Sequence, residues 1–370
     1  MAKRTFKTIY LWLHRWLGLA TGLLFCIVCI TGTLLVFEDE LDDLLFPKFH
    51  FAPKVENTHK APLSLDSLTN LAQEYAGDQK LNKVIIPKTG EGRNILYQTA
   101  GSKTKRFLLS LHPDDGLLAV KVRESQRLFQ VITNIHRYLL MDKTGRIITG
   151  ALCLSYVLIL LTGLIIWWPK NRKLLKQRIK IKWDAKSKRL NWDVHAVGGF
   201  YTLPILFIIA LTGLTWSYDW FENGLYLLFD GHLPTKTTIK PSPIDKASTS
   251  TKYGVLEIIL TQTNDQFPYN GELEITFPSA KDPLYIVSKS IPSNPIPNRL
   301  DHSYYSKTGV LLRNEPYNSL STGNQVRRLM LPIHSGRIFG WPTKLLAIIV
   351  TLIGASLPIT GFNIWLGKRK

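Results

Sequence analysis

Two spacings each occur twice between a histidine and a following Thr-Gly dipeptide. A neutral imidazole is the commonest metal ligand among protein side chains. Histidines that recur at matched spacings therefore predict metal ligation by the equivalent parts of an internal repeat. A spacing of 18 residues separates His14 from Gly32 and His195 from Gly213, and a spacing of 27 residues separates His136 from Gly163 and His334 from Gly361.

These histidines flank four apolar blocks, at residues 17–37, 147–168, 197–216 and 345–366. About 20 apolar residues at 1.5 Å per residue cover the ~30 Å hydrocarbon layer of a bilayer. None of the blocks carries Lys, Arg, Asp or Glu in its middle. An acidic run from Glu38 to Asp43, and not a small-residue cleavage site, follows the first block. We therefore expect an integral membrane protein with four spanning helices, the first of which stays as an anchor.

The positions of the cations predict the orientation of these helices. Residues 169–191 contain ten Lys or Arg against one Asp, and further cations flank the first and fourth blocks. By the positive-inside rule these parts are cytoplasmic, and the long segments 38–144 and 218–341 are external. The net charge of +19 is then mainly a topology signal, and nucleic-acid binding is not needed to explain it. The flanking cations are Lys3, Arg4, Lys7, Arg15, Lys368, Arg369 and Lys370.

The two external segments are polar and rich in turns, with short alternating runs that predict strands at Lys83–Ile86, Arg106–Leu111 and Leu284–Ser288. Each segment is long enough for a small α+β unit. Pro-rich stretches at 240–243 and 291–297 predict loops. All three cysteines fall inside the apolar blocks, so we expect no disulfides in the external units.

The predicted fold class is an all-α transmembrane four-helix bundle with two external α+β units, made by duplication of a helix, an external unit and a helix. Each half crosses the membrane twice, so the halves share one orientation about an axis along the membrane normal. The predicted segments are the cytoplasmic N-terminus with the first span (1–37), the first external unit (38–144), the second span (145–168), the basic cytoplasmic loop (169–191), the third span (192–217), the second external unit (218–341) and the fourth span with the cytoplasmic C-terminus (342–370).

This topology places two histidines at each face of the membrane. His14 and His195 lie at the cytoplasmic ends of spans one and three, and His136 and His334 precede spans two and four on the outer side. Two imidazoles on facing helices fill both axial positions of a b-type haem, so the sequence predicts two haem b groups whose iron ligands are these four histidines. The sequence contains no Cys-x-x-Cys-His motif, which excludes covalent c-type attachment. Residues 137–146 separate His136 from its apolar block, and we expect its helix to protrude or break.

Small and cationic residues near these histidines complete the predicted cofactor sites. Gly18 and Gly199 follow a histidine by one helical turn and would leave a flat recess for a porphyrin. Arg15, Arg137 and Arg337 flank ligand positions, where a guanidinium would pair with an anionic haem propionate.

The chain resembles the PepSY-associated transmembrane family of bacterial inner-membrane proteins. The likeness rests on the run His14 to Gly18, Thr-Gly near the end of span one, the dipeptides Ile135-His136 and Val194-His195, and the motif Ser110 to Gly116. The stretch Asp301 to Gly309 resembles a diverged second copy of the same external unit. The resemblance implies periplasmic PepSY-like units, two haems held by helix histidines and reduction of ferric siderophores to release iron.

We therefore expect a haem-dependent membrane oxidoreductase that passes electrons to a ferric siderophore or another periplasmic acceptor. The sequence has no dinucleotide fingerprint, so the electron donor is expected to be another protein, a quinol or a soluble reductant. The sequence leaves two other interpretations open. One is a membrane-anchored periplasmic binding or regulatory module whose histidines are structural. The other is a transporter in which Pro204 and Pro358 kink spans three and four.

Overall fold

The computed structural model describes residues 6–53, 62–102, 104–234, 254–280, 282–292 and 296–367. The cations at 3, 4 and 368–370, the Pro-rich stretch at 240–243 and part of the stretch at 291–297 lie outside these residues. In chain order the helices are α1 (Phe6–Val36), α2 (Glu38–Leu45), α3 (Pro47–His50), α4 (Leu65–Ala76), α5 (Leu128–Tyr138), α6 (Asp142–Trp167), α7 (Arg172–Arg178), α8 (Ser187–Leu214), α9 (Asp219–Asp230), α10 (Val255–Gln266), α11 (Thr322–His334) and α12 (Trp341–Leu366). The strands are β1 (Leu81–Ile86), β2 (Ile95–Thr99), β3 (Phe107–Leu111), β4 (Leu118–Arg123), β5 (Leu273–Thr276), β6 (Tyr285–Ser290), β7 (Leu300–Tyr305) and β8 (Leu311–Glu315).

Helices α1, α6, α8 and α12 are the four that, in the described part of the chain, are long and apolar enough to cross a membrane. Each begins before the apolar block that predicted it, because helical hydrogen bonding continues into polar residues beyond the hydrocarbon layer. In the bundle α1 packs against α6 and α12, and α8 packs against the same two helices. Large apolar side chains such as Leu23, Ile208 and Ile349 are exposed on its outside, as a lipid-facing surface requires.

The external segments together form one antiparallel sheet of eight strands, in the order β4-β3-β2-β1-β5-β6-β7-β8. The sequence analysis assigned a separate unit to each segment. In the structure β1 and β5 pair at the centre, where Val84 lies opposite Ile275, so an edge of each four-stranded half is covered by the other. Helices α4 and α10 cover one face of this sheet. The buried core between these helices and the sheet includes Tyr97, Ile259 and Tyr305.

The two halves of the sheet also exchange helix caps. The Asp66 carboxylate on α4 accepts hydrogen bonds from the backbone N–H groups of Leu256 and Glu257, in the first turn of α10. In return the Glu257 carboxylate accepts one from the backbone N–H of Leu65, the first residue of α4. Each carboxylate thus satisfies N–H groups that have no partner within their own helix. These caps hold α4 and α10 in register above the seam between β1 and β5.

Two short helices, α5 and α11, connect the sheet to the bundle and carry His136 and His334. Helix α5 ends at Tyr138 and α6 begins at Asp142, with Leu139 and Leu140 in the left-handed backbone region between them. Helical structure is therefore interrupted before the second span, so His136 lies on a separate helix. Helix α11 is likewise separated from α12 by a turn, in which Gly336 and Gly340 adopt positive φ.

Candidate functional site

The structure brings the four histidines together in two pairs. His14 on α1 and His195 on α8 form the sheet-distal pair, at the end of the bundle away from the sheet. Their ring centroids lie 6.2 Å apart and their planes cross at 86°. His136 on α5 and His334 on α11 form the sheet-proximal pair, whose centroids also lie 6.2 Å apart, with an angle of 65°. Each pair takes one imidazole from each half of the chain.

Each imidazole is held by a Thr-Gly dipeptide of a neighbouring helix. Nδ1 of His14 lies 3.0 Å from the carbonyl oxygen of Ile159 and 3.2 Å from Oγ1 of Thr162, both on α6. The other three histidines repeat this contact with a carbonyl and with the threonine three residues later. The contacts are His136 with Val28 and Thr31, at 2.9 and 3.1 Å; His195 with Leu357 and Thr360, at 3.1 and 3.0 Å; and His334 with Ile209 and Thr212, at 2.9 and 3.1 Å.

These contacts assign the proton on each ring. A backbone carbonyl oxygen only accepts hydrogen bonds, so Nδ1 of each histidine must be the protonated nitrogen. Nε2 then carries a lone pair, and no hydrogen-bond partner for it occurs among the residues that the structure describes. Each pair therefore offers two neutral imidazoles with two available nitrogen ligands.

The glycine of each dipeptide leaves space for the ring that the threonine holds. A Cβ on Gly163 would lie 3.1 Å from Cε1 of His14, and a Cβ on Gly32 would lie 3.0 Å from Cε1 of His136. The same approach is 3.2 Å for His334 at Gly213 and 3.2 Å for His195 at Gly361. Such separations are tighter than ordinary packing, so an alanine would push the imidazole away.

Sequence reasoning used these dipeptides as markers of the repeat and missed that they hold the histidines. The 18 residues from His14 to Gly32 span about 27 Å of helix, too far for contact. The dipeptide that touches His14 is instead Thr162-Gly163, on a different span. A periodicity within one helix carries no information on which neighbouring helix faces it.

A cavity of about 380 Å³ adjoins the sheet-distal pair. Gly18 and Gly199, the small residues predicted to form a recess, both line it. A Cβ on Gly18 would meet no described atom within 4 Å, and one on Gly199 would lie 3.7 Å from the Leu357 side chain. The walls are mostly apolar and aromatic, as in sites that take a large flat cofactor.

The residues present fit a haem group at this cavity. Two imidazoles that bind one metal ion through Nε2, each at about 2 Å, would have ring centroids about 6 Å apart. The observed centroid separation is 6.2 Å in both pairs. Lys7, Arg15 and Arg178 line the same cavity and suit two propionates. Nε1 of Trp167, a further lining residue, is buried and has no hydrogen-bond partner among the described residues.

The three arginines proposed for the propionates differ in their surroundings. Arg15 lines the cavity of the sheet-distal pair. Arg137 is exposed and lies over the ring of Tyr138. Arg337 is already engaged, with Asp39 at 3.0 Å and the carbonyl oxygen of Leu35 at 3.2 Å. Arg178, which the sequence analysis counted only as a topology cation, is the cavity-lining arginine that it missed.

An ionic cluster anchors the helix that carries His136. The carboxylate of Asp42 on α2 accepts hydrogen bonds from Arg127, which precedes α5, and from His50 at 2.8 Å. Burial opposes ionisation of Asp42, but the hydrogen bond from His50 and the charge of Arg127 together hold its pKa below the usual value. This cluster borders a second, smaller cavity between the sheet and α5, of about 160 Å³.

Comparison with known protein families identifies one match along nearly the whole chain. Residues 11–368 match the family described as the PepSY-associated TM region. No curated protein matches the sequence. The matched range includes the first spanning helix from residue 11 onward, the other three spanning helices, the eight-stranded sheet and both histidine pairs. The chain therefore belongs to the PepSY-associated TM region family.

Proposed function

We propose that the protein carries single electrons across the membrane through two haem b groups, one at each histidine pair. The observation that carries the proposal is the geometry common to both pairs. In each, two imidazoles with Nδ1 engaged lie 6.2 Å apart between ring centroids, a separation at which both rings would bind one iron through Nε2. A bis-imidazole haem supplies a one-electron ferric/ferrous couple with no open coordination position.

The chain's own residues supply binding, orientation and exclusion of water. His14 and His195 would hold the iron at the sheet-distal site, and His136 and His334 at the sheet-proximal site. The Thr-Gly dipeptides orient the four rings, and the apolar walls of the bundle exclude water from them. Lys7, Arg15 and Arg178 would neutralise the propionates at the sheet-distal end.

The cation distribution supports an orientation in which the sheet-distal end faces the cytoplasm and the sheet lies in the periplasm of a bacterial inner membrane. Electrons would then enter from a cytoplasmic or quinol donor and leave on the sheet side. Transfer in this direction moves negative charge with a negative-inside potential, which favours it by about 2.3 kcal/mol per electron per 100 mV.

We propose a ferric siderophore as the acceptor on the sheet side. Its ferric ion would gain one electron and become ferrous. Ferric iron binds hard oxygen chelators more tightly than ferrous iron does, so the single electron would weaken the chelate and release iron. The protein would therefore act as a ferric-chelate oxidoreductase. The repeated order of helix, strands and helix supports an origin of its two halves by internal duplication.

The proposal is tested first by the haem content of the purified full-length protein. We expect two haems per chain in a pyridine haemochromogen assay, and a b-type α-band in the reduced-minus-oxidised spectrum. In liposomes with reductant on one side, a ferric hydroxamate chelate on the other side should yield ferrous iron, trapped by ferrozine.

The matched control is His232→Ala, which removes an exposed histidine away from both pairs and should leave haem content and reduction rate unchanged. Protein that is folded but lacks a Soret band would contradict electron transfer and favour a membrane-anchored binding or regulatory module.

A further inference from the structure

We infer that the threonines of the four Thr-Gly dipeptides are positioning residues that set the haem affinity and the redox potential of the site they contact. The inference rests on the proposed function and deepens it. In four places, and with the same register, a threonine hydroxyl lies 3.0 to 3.2 Å from Nδ1 of a histidine. The threonines are Thr31, Thr162, Thr212 and Thr360.

The hydroxyl proton of each threonine is already used within its own helix. Oγ1 of Thr162 donates to the carbonyl oxygen of Leu158 at 2.8 Å, four residues earlier, and Thr31 donates in the same way to Ile27 at 2.7 Å. The hydroxyl oxygen is therefore left as an acceptor for the histidine. Thr212 and Thr360 make the same bonds, to Ile208 and Ser356.

The Nδ1–H of each histidine consequently meets two acceptors on one helical turn. For His14 these are the Thr162 hydroxyl and the carbonyl of Ile159, which both lie on α6. Two acceptors restrict rotation of the ring more than one does, and they draw the Nδ1 proton away from the ring. Electron density at Nε2 rises as a result, which favours the more highly charged ferric iron and lowers the redox potential.

Thr202, in the same bundle, is a control that distinguishes contact with a histidine from ordinary helix packing. Oγ1 of Thr202 on α8 donates to the carbonyl of Gly198 at 2.8 Å, in the manner of the four dipeptide threonines. Thr202 is also buried, with 3% of its surface exposed. No contact to a histidine is found for it in the described part of the chain. If the four threonines only stabilised their helices, replacement of Thr202 by valine would have the same effect as replacement of any of the four.

The test compares Thr162→Val, Thr162→Ser and Thr202→Val in the full-length haem-loaded protein. Valine keeps the volume and branching of threonine but cannot accept the hydrogen bond, whereas serine retains the hydroxyl. The readouts are potentiometric titration of each haem and the rate of haem transfer to an excess of apomyoglobin.

We expect Thr162→Val to speed haem loss from one site about 10-fold to 100-fold. We also expect it to change the ferric-over-ferrous preference of that haem about tenfold, a rise of roughly 59 mV for one electron. Thr162→Ser and Thr202→Val should behave as the parent. Thr360→Val should shift the same couple as Thr162→Val, because both threonines serve the sheet-distal pair, and Thr31→Val and Thr212→Val should shift the other couple.

A Thr162→Val protein whose potential and haem-loss rate match those of Thr202→Val would overturn the inference. So would a variant that shifts both couples equally, since that pattern indicates a general loosening of the bundle. If Thr162→Val does not accumulate, Thr360→Val tests the same site, because Thr360 contacts His195, the other histidine of the pair. A parent protein without haem overturns the proposed function and this inference together, whereas a parent with two haems and unresponsive valine variants overturns this inference alone.

Discussion

The sheet-distal and sheet-proximal pairs present nearly the same ligand geometry on different supports. The histidines of the sheet-distal pair lie on spanning helices beside a cavity. Those of the sheet-proximal pair lie on the short helices α5 and α11, which connect the sheet to the bundle. Both pairs nevertheless have ring centroids 6.2 Å apart and Nδ1 atoms engaged by a Thr-Gly turn. The support that the two pairs share is therefore the turn facing each histidine, and not the type of helix that carries the histidine.

Removal of a ligand is the largest change that separates the two pairs. We expect His195→Ala to remove one haem and His334→Ala to remove the other, with the remaining haem unchanged in spectrum. The double variant His14→Ala/His195→Ala should have the same haem content as either single variant, because both rings would hold the same iron. Haem per chain and the α-band positions measure this. Loss of both haems from a folded single variant would contradict the pairing.

Addition of one methyl group at a Thr-Gly turn should have the next largest effect. Gly163→Ala would place Cβ 3.1 Å from Cε1 of His14, and Gly32→Ala would place it 3.0 Å from Cε1 of His136. We expect each variant to weaken haem binding at its own site by at least about tenfold, as judged by haem transfer to apomyoglobin.

Gly224→Ala is the matched control for these two variants. It lies within helix α9, and its Cβ would meet no described atom within 4 Å. It should leave both haems in place. Equal haem retention in all three glycine variants would show that the rings are not held by contact with the turns.

The seam of the sheet provides a test of how strongly each pair depends on the sheet. Asp66→Ala removes the acceptor for two N–H groups of α10, which costs about 1 kcal/mol of stability for a helix cap. Thermal unfolding followed at the two haem bands should show the sheet-proximal haem lost at a lower temperature, with the sheet-distal haem less affected. Asp78→Ala, at an exposed turn, is the control. An equal shift at both haems would indicate that sheet and bundle unfold as one unit.

Acidification should have the smallest effect on stability. It should act through Asp42, whose cluster anchors the helix that carries His136. The pKa of Asp42 is held below its usual value near 3.8, so the stability that its ionised form contributes is present above that value. This contribution is lost as the pH falls through the lowered pKa, when the hydrogen bonds from Arg127 and His50 to a carboxylate weaken. We expect Asp42→Asn to be less stable than the parent at pH 7 and to approach it in acid, as measured by thermal unfolding. A constant difference at every pH would exclude the charge of Asp42 as the cause.

Much of the architecture follows from local patterns. Uninterrupted apolar blocks predicted the four spanning helices, and the alternating runs at Lys83–Ile86 and Leu284–Ser288 fall on β1 and β6. The interruption of the helix after Tyr138 was expected from the polar residues between His136 and the span. In these cases the physical cause, a hydrophobic period or its interruption, lies within a few residues of its effect.

Features that depend on which elements meet were not predictable in this way. The pairing of β1 with β5 joins residues almost 200 positions apart, and neither strand carries a signal for its partner. Arg337 reads as a free cation beside a histidine until α2 brings Asp39 to it. Arg178 looked like one member of a basic run, yet it folds back to donate a hydrogen bond to the carbonyl of Trp167 at the end of α6.

The Thr-Gly dipeptide that contacts each histidine lies in the same half of the chain as that histidine. His14 and His136 are each gripped by a threonine from residues 6–167, and His195 and His334 by one from residues 187–366. Each half thus positions its own two histidines, but each histidine pair needs one ring from each half. Two fragments produced by cleavage within the basic loop would each keep two positioned histidines. Recovery of a haem spectrum when the fragments are mixed would show that the halves assemble without a covalent link.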